Sequence, residues 1–397
     1  MKKKLLFLLI LLFIIIFSFF KIKNYLSFKI FLSKIDDSIN VNEFYIYGTH
    51  LNIKLENNLN KPVLILKSVN QTVTYKLVLK DDFYTLSLKL NEGIDLEKLS
   101  SDKFYIIIKD NDKYYNLVNN TNYNNLTYYS ISSKKIDLSF NKSMILNVKH
   151  KNKPNNVYDI VIDAGHGGAD PGASSFGYNE SDLTLEYSKK IKSNLEKLGY
   201  KVKLTRDSDI SLKNYGNNSR TSIPYDVKCK YLFSIHFNSS EPYVSNNGFE
   251  IYVPNNINYD LAEQIVKGIK SIDFNSSTNN AFKVKDGIYL RNLSKTDISN
   301  MRNEAINNGY KMYNVDTNTP YLYMIRETGG YMTNAYMDGR NTRYSKNNYY
   351  NSNIGSESYL LELGFINNKK DLNFILNNKD KYSKSIASSI DYYIKNT

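Results

Sequence analysis

The sequence has very little cysteine: Cys229 is the single one in 397 residues, and tryptophan is absent. One thiol excludes an internal disulfide, and it excludes a zinc site built on several cysteines. We interpret Cys229 as a small buried residue that leads into a strand, because free cysteine commonly has that role. The chain therefore shows neither a disulfide framework nor a cysteine-based zinc cluster.

Acidic residues are missing from positions 1–34, which hold seven lysines. These lysines supply over half of the formal net charge of +13, and the other 363 residues carry 45 basic and 39 acidic groups. A nucleic-acid-binding protein usually shows a concentrated basic stripe, so we expect no nucleic-acid partner. The mild excess of +6 outside the N-terminus fits a weak attraction to an anionic wall polymer or a lipid surface.

Alanine is absent before Ala164, and this absence decides how the N-terminus is interpreted. Three lysines, Lys2 to Lys4, precede sixteen residues, Leu5–Phe20, that are all apolar except Ser18. Signal peptidase needs an A-x-A-like site of small residues at the end of the apolar core, and the segment 17–21 (F-S-F-F-K) does not offer one. We therefore predict an uncleaved membrane anchor, with the lysines inside and the remainder outside. A cleaved signal peptide, which would release the protein, is the alternative, and both predict export to the outer face of the membrane or the cell wall.

The segment 42–150 alternates between apolar and polar residues, as half-buried strands do. Leu51, Ile53 and Leu55 are one example, and clusters of Asn and Asp separate the successive runs. About eight short strands at this spacing predict an all-β, sandwich-like domain at 42–150. The preceding residues 1–41 would then comprise the basic tip, the anchor and a polar stalk at 21–41.

No chemistry is visible in this β domain. His50 and His150 have no acidic or histidine neighbour at ligand spacing, so we expect ordinary surface or strand-end positions for both. The domain is expected to act as a spacer or to bind a regulatory protein partner. Binding of wall glycan is the alternative.

The stretch Ile160–Glu180 is the most informative part of the chain. Its apolar opening, Ile160–Ile162, predicts a buried strand, and five glycines then surround His166 before Glu180 begins a helix. Open α/β sheets bind ligands at this point, where a strand passes into its helix. The glycines do not match the dinucleotide pattern, so a metal or catalytic site is favoured over a phosphate cradle or a plain turn.

Strands and helices alternate in the rest of the chain, which predicts an α/β domain at 155–397. We expect an open mixed sheet flanked by helices. The apolar run Tyr231–Ile235 predicts a buried strand that leads to His236. A second apolar run, Leu360–Phe365, contains Glu362.

Two histidines and one carboxylate are the three-ligand set that holds catalytic zinc with one position open for water. His166, Glu180 and His236 supply this set, and Glu362 is then the candidate that takes the water's proton. A carboxylate within an apolar strand needs a reason, because its burial is costly without a partner. A structural ion pair or an outward-facing position for Glu362 is the alternative, and Glu327 is the next candidate base.

Several motifs occur in an order that is itself specific. They are V-I-D-A-G-H-G-G-A-D-P-G-A at Val161–Ala173 followed by Glu180, L-T-R at Leu204–Arg206, F-S-I-H-F-N at Phe233–Asn238, G-F-E-I-Y at Gly248–Tyr252 and L-E-L-G-F-I-N-N at Leu361–Asn368. With these motifs the sequence resembles the zinc-dependent N-acetylmuramoyl-L-alanine amidases of bacterial cell walls, from Tyr158 to the C-terminus. The resemblance implies Zn²⁺ held by His166, Glu180 and His236, with Glu362 as the catalytic glutamate. It also implies peptidoglycan as the substrate, cut at the amide between N-acetylmuramic acid and L-alanine.

The chain departs from the compact members of that family in its length between His236 and Glu362, a gap of 126 residues. The excess lies in a polar, irregular segment at 273–320 and in loops at 326–353, with a strand-like run at Tyr321–Arg326 between them. Glycine, tyrosine and asparagine in these loops suit a wall that stacks sugars. A self-packed surface loop is the alternative.

Two other functions remain open. A zinc peptidase that cuts within the stem peptide of peptidoglycan would use the same metal chemistry, and only its products would differ. A catalytically silent wall-binding regulator is disfavoured, because the whole set of four residues is intact.

Overall fold

A long N-terminal helix leads into two regions of different construction in the computed structural model. The structure describes residues 2–47, 50–56, 59–80, 83–85, 93–119, 125–131, 134–241, 246–255, 257, 259–309, 315–329 and 356–396. Residues 330–355, and with them most of the predicted sugar-binding wall, lie outside the described residues.

Helix α1 (Lys2–Leu32) contains the predicted anchor and continues well beyond it. Its segment Leu9–Leu32 is long and apolar enough to cross a membrane, with a mean hydropathy of 2.0. Within the predicted stalk at 21–41, the residues up to Leu32 continue α1, and those from Ile35 belong to the first strand, Ile35–Tyr47. The rest of the predicted division, 42–150 and 155–397, stays a prediction.

The first region is all-β, as predicted. Its strands are β1 (Ile35–Tyr47), β2 (His50–Leu55), β3 (Val63–Lys67), β4 (Thr72–Lys76), β5 (Val78–Lys80), β6 (Phe83–Thr85), β7 (Ile94–Asp95), β8 (Lys103–Asp110), β9 (Lys113–Asn119), β10 (Asn125–Tyr129), β11 (Lys134–Phe140) and β12 (Ile145–Asn152). Within the described residues these strands form a single branched sheet of 12 rather than a sandwich of two separate sheets. The sheet branches at β8, which pairs with β12, β3 and β9, and at β2, which pairs with β1, β6 and β7. The sheet encloses one apolar core.

The second region is the predicted α/β domain. Its strands are β13 (Ile160–Ala164), β14 (Ser174–Ser175), β15 (Tyr178–Asn179), β16 (Val202–Leu204), β17 (Tyr231–Asn238), β18 (Glu250–Tyr252), β19 (Lys283–Lys285), β20 (Ile288–Tyr289) and β21 (Glu357–Phe365). Its helices are α2 (Glu180–Lys197), α3 (Ser222–Asp226), α4 (Asp260–Lys270), α5 (Lys295–Asn308), α6 (Tyr323–Thr328), α7 (Lys369–Asn377) and α8 (Lys379–Asn396). These bounds confirm an open mixed sheet flanked by helices.

The central sheet has seven strands in the order β16-β13-β17-β21-β18-β20-β19. Strands β16, β13, β17 and β21 are parallel, whereas β18 runs antiparallel to β21. One face packs on helices α2, α4, α7 and α8 through a continuous apolar core. Four residues at helical spacing on α2, Leu183, Tyr187, Ile191 and Leu195, are buried there, whereas Leu198 at the end of the same sequence pattern is exposed. The parallel strands therefore end together at one edge, as a shared site requires.

The prediction of a strand at Tyr321–Arg326 is wrong, because the structure has helix α6 there. A short apolar run does not distinguish a strand from a buried helix. Packing decides the outcome, since Met324 and Tyr323 lie against Val161 and Leu232 on the second face of the sheet.

Lys230, the residue before β17, joins the two regions. Its Nζ lies 3.5 Å from Glu97 Oε1 and 5.2 Å from the centre of the Tyr128 ring, and the side chain is buried. Tyr128 in turn donates to Glu97 over 2.9 Å. A buried lysine is stable only with such partners, so this contact fixes the β-rich region against the start of β17.

Glu357 lies beside this junction and is 2% exposed. Burial raises the pKa of its carboxyl to about 6, although the hydroxyl of Tyr359 and the charge of Lys230 oppose the rise. The folded chain therefore binds this proton more tightly than the unfolded chain, whose value is 4.5. Between these two pH values the free energy of unfolding falls as the pH rises.

We predict that Glu357→Gln removes about 1.5 kcal/mol of the pH dependence between pH 4.5 and pH 6.5. Urea unfolding of the full chain at pH 4.5 and pH 6.5 measures it, with the exposed Glu304→Gln as the control. The wild type should lose that much more stability than Glu357→Gln on going to the higher pH. Equal losses in the two proteins would contradict the buried state of this carboxyl.

Candidate metal centre

Three predicted ligands come from three different elements. His166 follows β13, Glu180 is the first residue of α2, and His236 lies in β17. Strands β13 and β17 are parallel, and Ala164 pairs with Ile235, so the strand register brings His166 and His236 to the same end of the sheet. The β13–α2 loop then returns Glu180 to the same point.

The geometry of these three side chains fits a metal ion. Glu180 Oε1 lies 3.1 Å from His166 Nε2 and 2.9 Å from His236 Nδ1. The three candidate ligand atoms all lie within 4.8 Å of one another. Two imidazoles and one carboxylate at such separations are the donor set of a catalytic zinc site. The structure therefore brings together the three residues that the sequence singled out.

Glycine is required where the loop passes the imidazoles. A Cβ on Gly165 would lie 2.4 Å from Cε1 of His236, and one on Gly172 would lie 2.7 Å from Cδ2 of His166. Gly172 also has a φ of +66°, which side-chain-bearing residues rarely adopt. The glycine-rich pattern thus has a steric cause, which is the close approach of the backbone to the two histidines.

Asp170 fixes the orientation of His166. Its Oδ2 lies 2.8 Å from His166 Nδ1, and its Oδ1 accepts the Gly172 amide over 3.0 Å. A carboxylate on Nδ1 leaves Nε2 of the ring directed at Glu180. Burial lowers the pKa of His166, but hydrogen bonds to Glu180 and Asp170 outweigh it and the net shift is upward.

Glu180 is held as a carboxylate at the centre of the group. Its Oε1 accepts the amide of Phe237 over 3.0 Å, and its Oε2 accepts the amide of Ala173 over 3.0 Å. Burial alone would raise the pKa of Glu180, but the hydrogen bonds from His166 and His236 lower it far below its ordinary value. The charged form is thus the stable one in the folded protein.

Two buried arginines support the loop from below. Arg220 donates to Asp163 Oδ1 over 2.7 Å and to the carbonyl of His166 over 2.7 Å. Arg206 donates to the carbonyls of Gly165 and Ser181, each over 2.8 Å. These bonds satisfy backbone carbonyls that a buried loop would otherwise leave without partners.

Glu362 lies beside His236 in the sheet. His236 and Glu362 are paired residues of parallel strands, and Glu250 pairs with Glu362 on the other side. Paired residues of neighbouring strands are about 5 Å apart, so His236, Glu362 and Glu250 form a row across the sheet. Their neighbours along the strands, Ile235 and Leu361 among them, point into the core on the opposite face.

The carboxyl of Glu362 has an unusual environment. Its Oε2 is buried and has no hydrogen-bond partner among the residues that the structure describes. Burial, followed by the charges of Glu180 and Glu250, raises the pKa of Glu362 well above its ordinary value. A buried polar atom without a protein partner is commonly satisfied by water, an ion or a ligand.

Glu250 belongs to this site, although the sequence analysis gave it no role of its own. Its Oε2 accepts from Asn238 and Tyr252, each over 3.0 Å, and its Oε1 accepts from Ser277 over 2.8 Å. Glu327, the alternative base, instead lies in α6 and pairs with Arg326 over 2.9 Å. Glu250 is thus the carboxylate that the strand register places next to Glu362.

The supporting residues were harder to predict than the ligands. Arg206 and Glu250 stand inside the quoted motifs, but Arg220 lies in a polar stretch whose structure the sequence left ambiguous. An arginine that binds backbone carbonyls has no characteristic spacing in the sequence from which its role could be predicted. Its role becomes visible only with the fold.

Known proteins resemble the second region. A family model described as N-acetylmuramoyl-L-alanine amidase matches residues 160–392. The probable cell wall amidase LytH of Staphylococcus aureus is 40% identical over 112 residues, which is 27% of this chain and 34% of that protein. The endolysin of Bacillus phage SPP1 is 39% identical over 94 residues, which is 23% of this chain and 32% of that protein. The chain thus spans about a third of the length of these curated relatives.

Among solved structures, the N-acetylmuramoyl-L-alanine amidase AmiC2 of Nostoc punctiforme is 22% identical to this chain, with a TM-score of 0.38. That similarity covers 61% of this chain and 98% of the other.

We predict that Asp170→Ala lowers the affinity for zinc by about 10- to 100-fold, the usual cost of losing a partner that orients a histidine ligand. Asp170 is largely exposed, so the variant should fold normally. Competition with a chromophoric chelator measures the affinity, and Asp207→Ala is a matched exposed control on a nearby loop. Unchanged affinity in Asp170→Ala would show that the ring is oriented without this carboxylate.

Proposed function

The chain belongs to the N-acetylmuramoyl-L-alanine amidase family, and on that premise we propose that it hydrolyses the amide bond between N-acetylmuramic acid and L-alanine in peptidoglycan. One observation carries the proposal: two imidazoles and a carboxylate cluster at the end of the sheet, within 4.8 Å of one another. That donor set suits hydrolysis of an amide by activated water.

His166, Glu180 and His236 would hold the zinc ion. The ion, when bound, lowers the pKa of water and polarises the carbonyl under attack. The protein keeps these ligands ready through fixed contacts: Asp170 orients the ring of His166, and two backbone amides hold Glu180. Such preorganisation is supported by the bonds of Arg220 and Arg206 to the loop.

Glu362 would act as the general base and then as the general acid. Its carboxylate would accept a proton from the attacking water and deliver that proton to the nitrogen of the departing L-alanine. Its place next to His236 in the strand register supports this role, and so does the lack of a described partner for Oε2. Burial, followed by the charges of Glu180 and Glu250, raises the pKa of Glu362, which favours a group that can hold the proton between the two steps.

We propose that the protein acts outside the cytoplasm, on the outer face of the membrane. The apolar helix α1 suits an anchor, or alternatively a signal peptide, and the lysines at its start favour an inside position for the N-terminus. The β-rich region would then lie between the membrane and the catalytic domain. We also propose that a regulatory protein binds the β-rich region.

The direct test is product analysis. The full chain in detergent is incubated with purified peptidoglycan, and mass spectrometry identifies the fragments. We expect free stem peptides that begin with L-alanine, together with intact glycan. Cuts between amino acids of the stem would identify a peptidase instead, and binding without any cut would identify a wall-binding regulator.

A second experiment separates the ligands from the base. His166→Ala, Glu180→Ala and His236→Ala each remove one of three protein ligands, so all three should lose both zinc and activity. Glu362→Gln keeps the shape of the side chain but cannot accept a proton. It should retain zinc and lose roughly 10²- to 10⁴-fold in turnover, the usual contribution of a general acid–base group.

Zinc content and rate must be measured on every variant, with the exposed Glu304→Gln as the matched control. Loss of zinc in Glu362→Gln would make Glu362 a ligand and would contradict the assignment. Full activity with zinc retained would make another carboxylate the base. Glu250, which pairs with Glu362, would then be the first to test.

A further inference from the structure

The end of α1 has one exposed apolar face and one face that packs on the β-rich region. Between Lys21 and Leu32, the side chains of Ile22, Leu26 and Ile30 are 59%, 56% and 62% exposed, and Tyr25 is half exposed. Residues four apart lie on the same side of a helix, so these side chains form an apolar stripe that points away from the protein. The stripe continues the apolar surface of the proposed anchor without a break.

The opposite side of the same helical turns is bound to the β-rich region. The ring of Phe28 contacts Tyr105 of β8 with a centroid distance of 5.5 Å, and it is 7% exposed. The ring of Phe31 contacts Tyr114 of β9 over 5.6 Å, and Lys67 Nζ stands 5.8 Å from the centre of Phe31. These edge-to-face contacts attach the helix to two strands of the sheet.

The connection between α1 and β1 leaves little freedom. The helix ends at Leu32 and β1 begins at Ile35. The amide of Ser33 donates to the carbonyl of Lys29, and the amide of Lys34 donates to the carbonyl of Phe31, each over 3.1 Å. A two-residue turn closed by such bonds fixes a direction, whereas a flexible linker of many residues would not.

The length of α1 indicates where this attachment lies relative to a membrane. A helix rises about 1.5 Å per residue, and a hydrocarbon core about 30 Å thick takes about 20 residues. Counted from Leu5, the core would end near Asn24. Phe28 then lies about 6 Å farther out, at the outer edge of a headgroup layer about 5–8 Å thick.

We propose that this stripe crosses the outer lipid headgroup layer, with Ile22 at the edge of the hydrocarbon core, Leu26 within the layer and Ile30 at its outer boundary, so that α1 holds the β-rich region directly against the membrane surface. The proposal rests on α1 being a membrane anchor. Tyr25 lies at the interface depth that tyrosine favours. Lys21, Lys23 and Lys29 can extend to anionic headgroups, and no acidic residue precedes Asp36. The catalytic centre would therefore work at a fixed orientation above the membrane rather than on a flexible stalk.

The test uses the full chain in vesicles of phosphatidylcholine and phosphatidylglycerol. An environment-sensitive fluorophore is attached to single cysteines in Phe13→Cys, Leu26→Cys, Ile30→Cys and Ile306→Cys, while the native Cys229 is buried. Iodide quenches from water, and nitroxide-labelled headgroups quench from the lipid surface. Position 13 reports the anchor, and position 306, which is 77% exposed on α5, reports water.

We expect position 26 to be protected several-fold from iodide relative to position 306, with weaker protection at position 30, and both positions to be quenched by headgroup nitroxides. Full access of iodide to position 26, with position 13 protected, would leave the anchor intact and overturn the proposal. Protection from iodide without nitroxide quenching would also overturn it, because a second copy or a protein partner would then cover the stripe. Access of iodide to position 13 would show that α1 is not a membrane anchor. That result would leave the proposed amidase function unaffected.

A second measurement tests the attachment on the other side. A donor dye on Lys142→Cys, an exposed site on the β-rich region, transfers energy to acceptor lipids in the same vesicles. Phe28→Ala combined with Phe31→Ala should broaden the donor–membrane distances, and Phe17→Ala within the anchor should not. A wild-type distribution already as broad as that of the double variant would contradict a fixed orientation.

Discussion

The carboxylate of Glu180 is the point on which the centre depends. It lies between two imidazoles at 3.1 Å and 2.9 Å, and two backbone amides from different segments hold its oxygens. A buried charge is stable only with such partners, so the loop, the start of α2 and the end of β17 must come together for the carboxylate to be tolerated. The same requirement that stabilises the charge therefore assembles the ligands.

The residues beneath the three candidate ligands show the same reliance of a buried charge on its partners. Asp163 is fully buried and accepts hydrogen bonds from Arg220, Thr205 and Ser234. Burial alone would raise the pKa of Asp163, but the charge of Arg220 and the hydroxyl donors lower it, so the pair is ionic in the folded protein. Because Arg220 also donates to the carbonyl of His166, a charge pair inside the sheet determines where a ligand backbone lies. Removing one member of a buried pair is costly, which ties the position of the loop to folding itself.

The sequence predicted which three side chains come together, because they stand in a recognisable pattern: His166 and Glu180 flank a glycine-rich loop, and His236 ends an apolar run. It also predicted the α/β domain, because strand-like and helix-like apolar segments that alternate along the chain are typical of that class. It did not predict how the β strands join, since pairing such as that of β8 with three partners depends on contacts distant in sequence. The helical form of residues 21–32 was also not predicted, because it depends on contacts of Phe28 and Phe31 with the distant strands β8 and β9.

The central claim is that His166, Glu180 and His236 form a zinc site, and X-ray absorption at the zinc edge tests it most directly. With one equivalent of zinc in the full-length protein, we expect nitrogen and oxygen neighbours at about 2.0–2.2 Å, with scattering from two imidazoles. His166→Ala and His236→Ala should each reduce the imidazole scattering or abolish binding. A sulfur neighbour near 2.3 Å, the usual distance of a cysteine ligand, or an imidazole signal unchanged in both variants would contradict the account.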